Sequence, residues 1–124
     1  MKTPMAGNVK FIEHAGKRIL MIDFSRCELD EIVTIVHEGK KLIATEAKNS
    51  VLTLTDVTNT RNNAAVVRVL KEYTTYNRPF VKAGAVVGLD GLKKVVFEAI
   101  MKFSRREFFV AQSIERAKEW LVKQ

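Results

Sequence analysis

The chain has 124 residues, 47% of them hydrophobic, and a formal net charge of +7, values that are typical of one globular domain over residues 1–124 and exclude a disordered chain. Its single cysteine, Cys27, excludes an internal disulfide and fits a reducing compartment. Because no apolar run approaches the roughly 20 residues of a membrane-spanning helix and the N-terminus lacks the apolar segment of a signal peptide, we expect a cytoplasmic protein without a membrane span.

Two strands open the predicted fold, over residues 8–13 and 18–24. Gly16 lies in the four-residue connection between them and tolerates a positive φ. The two strands are therefore predicted to form an antiparallel hairpin.

A long helix follows the hairpin. Ser25 stands three residues before Glu28, which is the spacing of a capping box, and a helical apolar period then predicts a helix over residues 28–47. Gly39 inside this period indicates a bend. The next apolar stretch, VLTLTD, predicts a strand that ends at Asp56.

The second half of the chain repeats this alternation. A helix is predicted over residues 62–76 and ends before Pro79, and an apolar strand follows over residues 80–88. Asp90 can cap a third helix, and Ser113 can open a fourth after the short strand EFFVA. The apolar residues of the third helix are predicted to face the core: Leu92, Val95, Val96, Ala99 and Phe103.

The element order is therefore β-β-α-β-α-β-α-β-α. Strands that alternate with helices predict an α/β fold with a mixed sheet of four to five strands, parallel after the opening hairpin, and with helices packed on it.

The positive charge is spread along the chain. No block of five like charges occurs, and no aromatic platform alternates with the basic residues, so the pattern predicts a solvated surface and argues against nucleic acid as a partner. The dispersed basic residues include Lys17, Arg18, Lys40, Lys41, Lys71, Lys93, Lys94, Lys102, Arg105 and Arg106.

Three stretches, VLTLTDVT, NRPFVKAGAVVGLDGLKKVVFEAIMKFSRREF and SIERAKEWLV, resemble the SpoIIAA-like family. These small bacterial proteins are grouped with the STAS (sulfate transporter and anti-sigma factor antagonist) fold and with CRAL-TRIO lipid-binding domains. The resemblance runs from about residue 9 to residue 122 and is carried by pattern rather than by a catalytic motif. It implies a mixed four- or five-stranded sheet and does not imply an enzyme.

The resemblance also places a candidate regulatory site after the third strand. In anti-sigma factor antagonists this strand ends in Asp-Ser-Ser-Gly or a close variant, and a partner kinase phosphorylates the second hydroxyl. Asp56 matches the aspartate and Thr58 the phosphorylated hydroxyl, whereas the first serine and the glycine are replaced. A hydroxyl at a helix start suits a phosphate. Because Thr, Asp and Asn are also ordinary capping residues, we favour a helix cap at Asp56–Thr58.

Two further patterns occur at strand ends. Asp23 and Asp56 follow apolar strands, as in a response-regulator receiver, but no second acidic residue adjoins Asp23 for metal binding, which argues against that class.

The sequence GLDG, with Gly88, Asp90 and Gly91, forms a strand-to-helix turn whose free N–H groups are suited to an anion. The ordinary interpretation of GLDG is a tight turn with an Asp90 cap.

No catalytic, metal or cofactor site is predicted. The histidines, His14 and His37, have no spacing that builds a metal site with Cys27.

Two hypotheses for function remain. The first is a non-enzymatic interaction or regulatory module that binds a protein partner through two loops, and the second is a carrier or sensor of a small anionic or lipid-like ligand. A lipid-sized cavity would take much of the packing from so small a core. Association of the chain with itself is left open. The residues of the predicted interaction surface are Asp56, Thr58, Asn59, Thr60 and Arg61, and those of the predicted anion-binding turn are Gly88, Asp90 and Gly91.

Overall fold

The computed structural model describes residues 6–61 and 63–124. Within these residues it has five strands and four helices in the predicted order, so the α/β prediction with a mixed sheet is confirmed. The elements are β1 (Val9–His14), β2 (Lys17–Asp23), α1 (Leu29–Ile43), β3 (Val51–Asp56), α2 (Ala64–Asn77), β4 (Val81–Val87), α3 (Gly91–Ser104), β5 (Phe109–Ala111) and α4 (Ile114–Leu121).

The strands lie in the sheet in the order of the sequence, β1-β2-β3-β4-β5. β1 and β2 are antiparallel, and every later pair is parallel. Parallel neighbours require a crossover, and α1, α2 and α3 supply it. The carboxyl ends of β2, β3 and β4 therefore meet at one edge of the sheet, where Asp23 is paired with Asp56 and Asp56 with Val87. We call this edge the carboxyl edge.

The sheet has a hydrophobic core on each face. The helices α1, α2 and α3 cover one face, where Ile32, Val66 and Phe97 are buried with strand residues such as Ile22. The helix α4 covers the other face, where Leu121 packs against residues of the central strands. Successive residues of β3 therefore alternate between two buried faces, and all but its last residue are buried.

The first helix differs from its prediction at both ends. It ends at Ile43 rather than at residue 47, because the buried face is complete at Ile43 and the side chain of Thr45 bonds the carbonyl of Leu42, at 2.8 Å. At its start the N-cap is Glu28 rather than Ser25, and the Glu28 N–H donates to Oε1 of Glu31 at 3.1 Å. The capping box therefore lies three residues later than predicted.

Gly39 also has a different role from the predicted bend. It is buried in α1, and a methyl group at this position would lie 3.0 Å from Cζ of Tyr73 on α2. Glycine thus allows the close approach of Tyr73 to α1.

The third helix presents the largest departure from the prediction. Phe97, Ile100 and Ser104 form its buried face, whereas most of the residues predicted to be core face solvent. The exposed fractions are 79% for Leu92, 62% for Val95 and 60% for Phe103. Both sides of this helix are apolar, and the sheet covers only one of them.

In residues 6–61 and 63–124 no helix combines the length and the apolar character that crossing a membrane would require.

Candidate functional site

Two matching turns stand side by side at the carboxyl edge. After β2, Oδ1 of Asp23 accepts hydrogen bonds from the N–H of Ser25 at 2.9 Å and from its hydroxyl at 2.5 Å. After β3, Oδ1 of Asp56 accepts from the N–H of Thr58 at 2.9 Å and from its hydroxyl at 2.6 Å. Both are Asx turns, in which an aspartate fixes the backbone two residues later.

The two turns are also bonded to each other. The N–H of Phe24 donates to the carbonyl of Asp56, and the N–H of Arg26 donates to that of Thr58, both at 2.9 Å. The hydroxyl of Thr60 returns a bond to the Phe24 carbonyl at 2.8 Å. These bonds continue the β2–β3 pairing beyond the strands, so the turns form one ordered unit.

The predicted anion-binding turn lies against this unit. Gly88 has a φ of +90°, and a Cβ at this position would lie 2.7 Å from Cα of Thr58. Only a glycine allows this contact. Asp90 then occupies the predicted N-cap position of α3, although its side chain makes no capping hydrogen bond there. The structure therefore brings together the two loops that the sequence analysis named, Asp56–Arg61 and Gly88–Gly91.

Two predictions about the first loop are wrong. Thr58 is not a helix cap, because Asn63 caps α2 by accepting a bond from the N–H of Val66 at 2.9 Å. Thr60 is not a surface residue, because only 4% of it is exposed and its hydroxyl bonds backbone. Thr58, with Asn59 and Arg61, is exposed. A phosphate on Thr58 would stand beside the Asp56 carboxylate, which is an unfavourable position for it.

An exposed apolar surface begins directly after the Gly88 turn. Leu92, Val95, Ala99 and Phe103 recur at helical spacing along the outer side of α3, and we call them the α3 stripe. Large exposed apolar patches with a polar rim mark interaction sites more often than isolated exposed residues do.

Basic side chains border the α3 stripe on both sides. Nζ of Lys71 lies 5.1 Å from the centre of the Phe103 ring. A groove of about 500 Å³ separates Phe103 from α2, and a groove of about 850 Å³ lies on the other side of α3. The charged residues of these grooves are Arg68, Lys71, Lys102, Arg105 and Arg106, against Glu72, Glu98 and Glu107.

A small cavity with mostly apolar walls lies under α2 and α3, on the face of the sheet that carries Thr53 and Thr55. Its volume is about 20 Å³, which is room for one water molecule. Four buried polar atoms of its lining residues have no hydrogen-bond partner within the described chain: Oγ1 of Thr53, the hydroxyl of Tyr73, Oδ1 of Asn77 and one guanidinium nitrogen, Nη2, of Arg106. Buried polar groups of native proteins are nearly always paired, so this cluster is unusual.

Arg106 reaches the cavity because of the way α3 ends. Arg105 adopts the left-handed conformation with φ 55°, and the N–H of Arg106 donates to the carbonyl of Met101 at 3.0 Å. This Schellman turn directs the next residue back toward the sheet. Arg106 is consequently only 9% exposed, and its guanidinium carbon lies 4.2 Å from the centre of the Phe108 ring. The prediction that every basic residue is solvated is wrong at this position.

Burial controls the ionisation of two groups at the cavity. It lowers the pKa of the Arg106 guanidinium to about 10, which leaves the group charged at neutral pH. It raises the pKa of the Tyr73 hydroxyl to about 12, while the nearby Asn77 side chain and, to a smaller extent, the charge of Arg106 act in the opposite direction. At neutral pH the cavity therefore carries a positive charge beside neutral hydroxyls.

The remaining candidates do not assemble into a site. Cys27 is buried, His37 is exposed on α1, and His14 is the last residue of β1. Among the described residues no group of three or more histidine, cysteine, aspartate or glutamate side chains is arranged to hold a metal ion.

No protein-family model, no curated protein and no solved structure matches this chain.

Proposed function

We propose that this chain is a non-enzymatic, STAS-like interaction module of the SpoIIAA-like kind, which acts in the bacterial cytoplasm and binds a protein partner. The α3 stripe, together with the adjoining loops of the carboxyl edge, is the proposed binding surface. The observation that carries the proposal is the exposure of Leu92, Val95 and Phe103 on one side of a helix. A non-enzymatic role is supported by the engagement of Asp23 and Asp56 in turn-stabilising bonds.

The energetics of the α3 stripe favour burial by a partner. Complete burial of a valine, leucine or phenylalanine side chain contributes about 1.5–3 kcal/mol. Three such side chains that are each about two-thirds exposed could supply several kcal/mol, which is a substantial share of a micromolar affinity. The Gly88 turn and the paired turns are already ordered by their own bonds, which lowers the entropy cost of binding at this edge.

The charged residues beside the α3 stripe favour an acidic partner. Arg68, Lys71, Lys102 and Arg105 outnumber the acidic residues of the two grooves that border the stripe. A second copy of the chain would bring the same basic rim against its own, which is unfavourable. An amphipathic helix with an apolar face and acidic flanks complements both the stripe and its rim, and helices commonly bind such surfaces through anchors at i, i+3 or i+4, and i+7.

Peptide selection tests this proposal. A random-peptide display library is selected on the wild-type protein and counter-selected on the double variant Leu92→Ser/Val95→Ser. We expect enriched peptides with apolar residues at helical spacing and flanking Asp or Glu, and with binding that weakens as salt is raised. Their affinity for the double variant should fall more than about tenfold, because two central apolar contacts are lost.

The matched control is Val110→Thr on β5, which changes another exposed valine, 39% exposed, that lines neither groove beside the stripe. It should leave peptide binding unchanged. All variants should keep the wild-type free energy of unfolding within about 0.5 kcal/mol, as is usual for surface changes. Enrichment of basic peptides, or equal binding to the double variant, would contradict the proposal. Light scattering that showed a dimer lost in the double variant would assign the stripe to self-association instead.

A further inference from the structure

Among the described residues, no carboxylate forms an ion pair with the buried guanidinium of Arg106. Its Nη1 makes one long hydrogen bond of 3.5 Å to the Thr74 carbonyl, and its Nη2 has no partner in the described chain. The group that most influences its ionisation by charge is the Tyr73 hydroxyl, which is neutral at physiological pH. A buried charge with no counter-charge is strongly unfavourable, so a partner from outside the chain would complete this site.

The surroundings of Arg106 limit what such a partner can be. The internal cavity, at about 20 Å³, admits a single water molecule or one polar end of a ligand, but not a whole lipid. The hydroxyl of Thr53 is a further donor at the cavity. It lies next to Gly84 on the adjacent strand, and the absence of a side chain on Gly84 leaves room for the Phe108 ring. The internal site is therefore narrow and mostly apolar, with the charge of Arg106 and a few polar atoms at its wall.

The cavity is next to an open groove on the protein surface. Arg106 and Phe108 line both the cavity and the open groove of about 850 Å³ beside α3. Met101 and Ala99 give this groove an apolar wall, while Lys102 and Arg105 add positive charge at its rim and Glu98 and Glu107 add negative charge. A ligand with an anionic end and an apolar body can thus place each part against matching residues.

We propose that the cavity and this groove together bind a small organic carboxylate, with its carboxylate on the Arg106 guanidinium and its apolar body against Phe108 and Met101. The planar guanidinium matches a planar carboxylate through two parallel hydrogen bonds. A phosphate group is larger and carries more charge than one arginine in this cavity can balance. The site differs from the predicted anion-binding turn at Gly88–Gly91, and it does not depend on the proposed protein partner.

Isothermal titration with sodium hexanoate, at an ionic strength held constant with sodium chloride, tests the proposal. We expect saturable binding to the wild-type protein and at least about tenfold weaker binding to Arg106→Gln, because a buried charge pair is lost. Arg116→Gln is the matched control: it makes the same change in charge at an exposed residue of α4, which covers the opposite face of the sheet and lines neither the cavity nor the groove. It should keep hexanoate affinity within about twofold, since exposed charges contribute little.

Two other probes and one other variant identify the chemistry. Hexanol, which has the same apolar body without the carboxylate, should not bind, and inorganic phosphate should bind more weakly than hexanoate. If Arg106→Gln does not fold, as judged by circular dichroism, Thr53→Val removes a cavity hydroxyl with little change of shape and should also weaken hexanoate. Absence of saturable hexanoate binding, equal binding of hexanol, stronger binding of phosphate, or unchanged binding in the folded cavity variant would each overturn the proposal.

Discussion

Replacing Gly39 with alanine should destabilise this protein, although alanine is the better helix former. A methyl group at Gly39 would lie 3.0 Å from Cζ of Tyr73 and closer still to its hydroxyl oxygen. Helix propensity favours alanine by about 1 kcal/mol, whereas an added methyl group in a close-packed core costs typically about 1–3 kcal/mol. Tyr73 has little room to retreat, because it packs edge-on against Phe24 with ring centres 6.2 Å apart. Because this overlap is severe, the steric cost should lie in the upper part of that range, at about 2–3 kcal/mol, and we expect Gly39→Ala to lower the free energy of unfolding by about 1–2 kcal/mol.

A double-mutant cycle with Tyr73→Phe isolates this contact. Phenylalanine removes the hydroxyl that meets the new methyl group, so Gly39→Ala should be less costly in the Tyr73→Phe background, by about 1 kcal/mol. Urea denaturation followed by circular dichroism measures all four proteins. If Gly39→Ala is as stable as the wild type, or if its effect is the same in both backgrounds, the reasoning that glycine is required by the approach of Tyr73 is refuted.

Four other substitutions have expected outcomes in urea denaturation. Arg106→Met should raise the free energy of unfolding by about 1–3 kcal/mol in ligand-free protein, because it replaces an unpaired buried charge with an apolar group of similar length; a loss of stability would contradict this. The same variant should lose stability more steeply than the wild type between about pH 10 and 12. The raised pKa of Tyr73 means that this tyrosine ionises in the unfolded chain before it ionises in the folded protein, so stability falls as the pH rises. In the wild type the lowered pKa of Arg106 opposes this loss, because the folded protein releases the arginine proton first. Arg105→Gly should stabilise by about 1 kcal/mol, because glycine adopts the left-handed conformation without steric cost, and an unchanged midpoint would argue against strain there. Asp56→Ala should cost about 1–2 kcal/mol and Thr58→Ala about half as much, because the first removes the acceptor of two bonds and the second removes one donor; equal costs would contradict this assignment.

The element order could be predicted from the sequence because each element has a clear period and a clear stop. Asp90 and Ser113 were recognised as helix starts, and both are N-caps in the structure. The closeness of the Asp56 and Gly88 loops also follows from the element order, because adjacent parallel strands end at the same edge of the sheet. These features depend on local patterns, which a sequence records directly.

The orientation of α3 could not be predicted in the same way. Phe97 and Ile100 lie on one side and Leu92 and Phe103 on another, so the apolar pattern alone fits either side against the sheet. Packing decides between them, and packing depends on residues distant in the sequence.

The cavity was missed for a related reason. In the sequence, Arg106 is one of many dispersed basic residues. Its burial follows from the left-handed conformation of Arg105. Glycine usually occupies such a position at a helix end, so an arginine there gives no signal of the turn. A usable signal was present in β3, where Thr53 and Thr55 alternate with leucines in a central strand. Once both faces of that strand are covered, its threonines must be buried, and a buried hydroxyl requires a partner.

The paired turns at the carboxyl edge also determine how this edge opens to solvent. The amides of Phe24 and Arg26 lie outside any strand, yet both are bonded to backbone carbonyls of the neighbouring turn. In native-state hydrogen exchange they should therefore be protected as strand amides are, and should exchange together with amides of β3 as one cooperative unit. The edge would then open only when the centre of the sheet opens, so slow exchange, which is usual for a core, would extend to the loops on the surface.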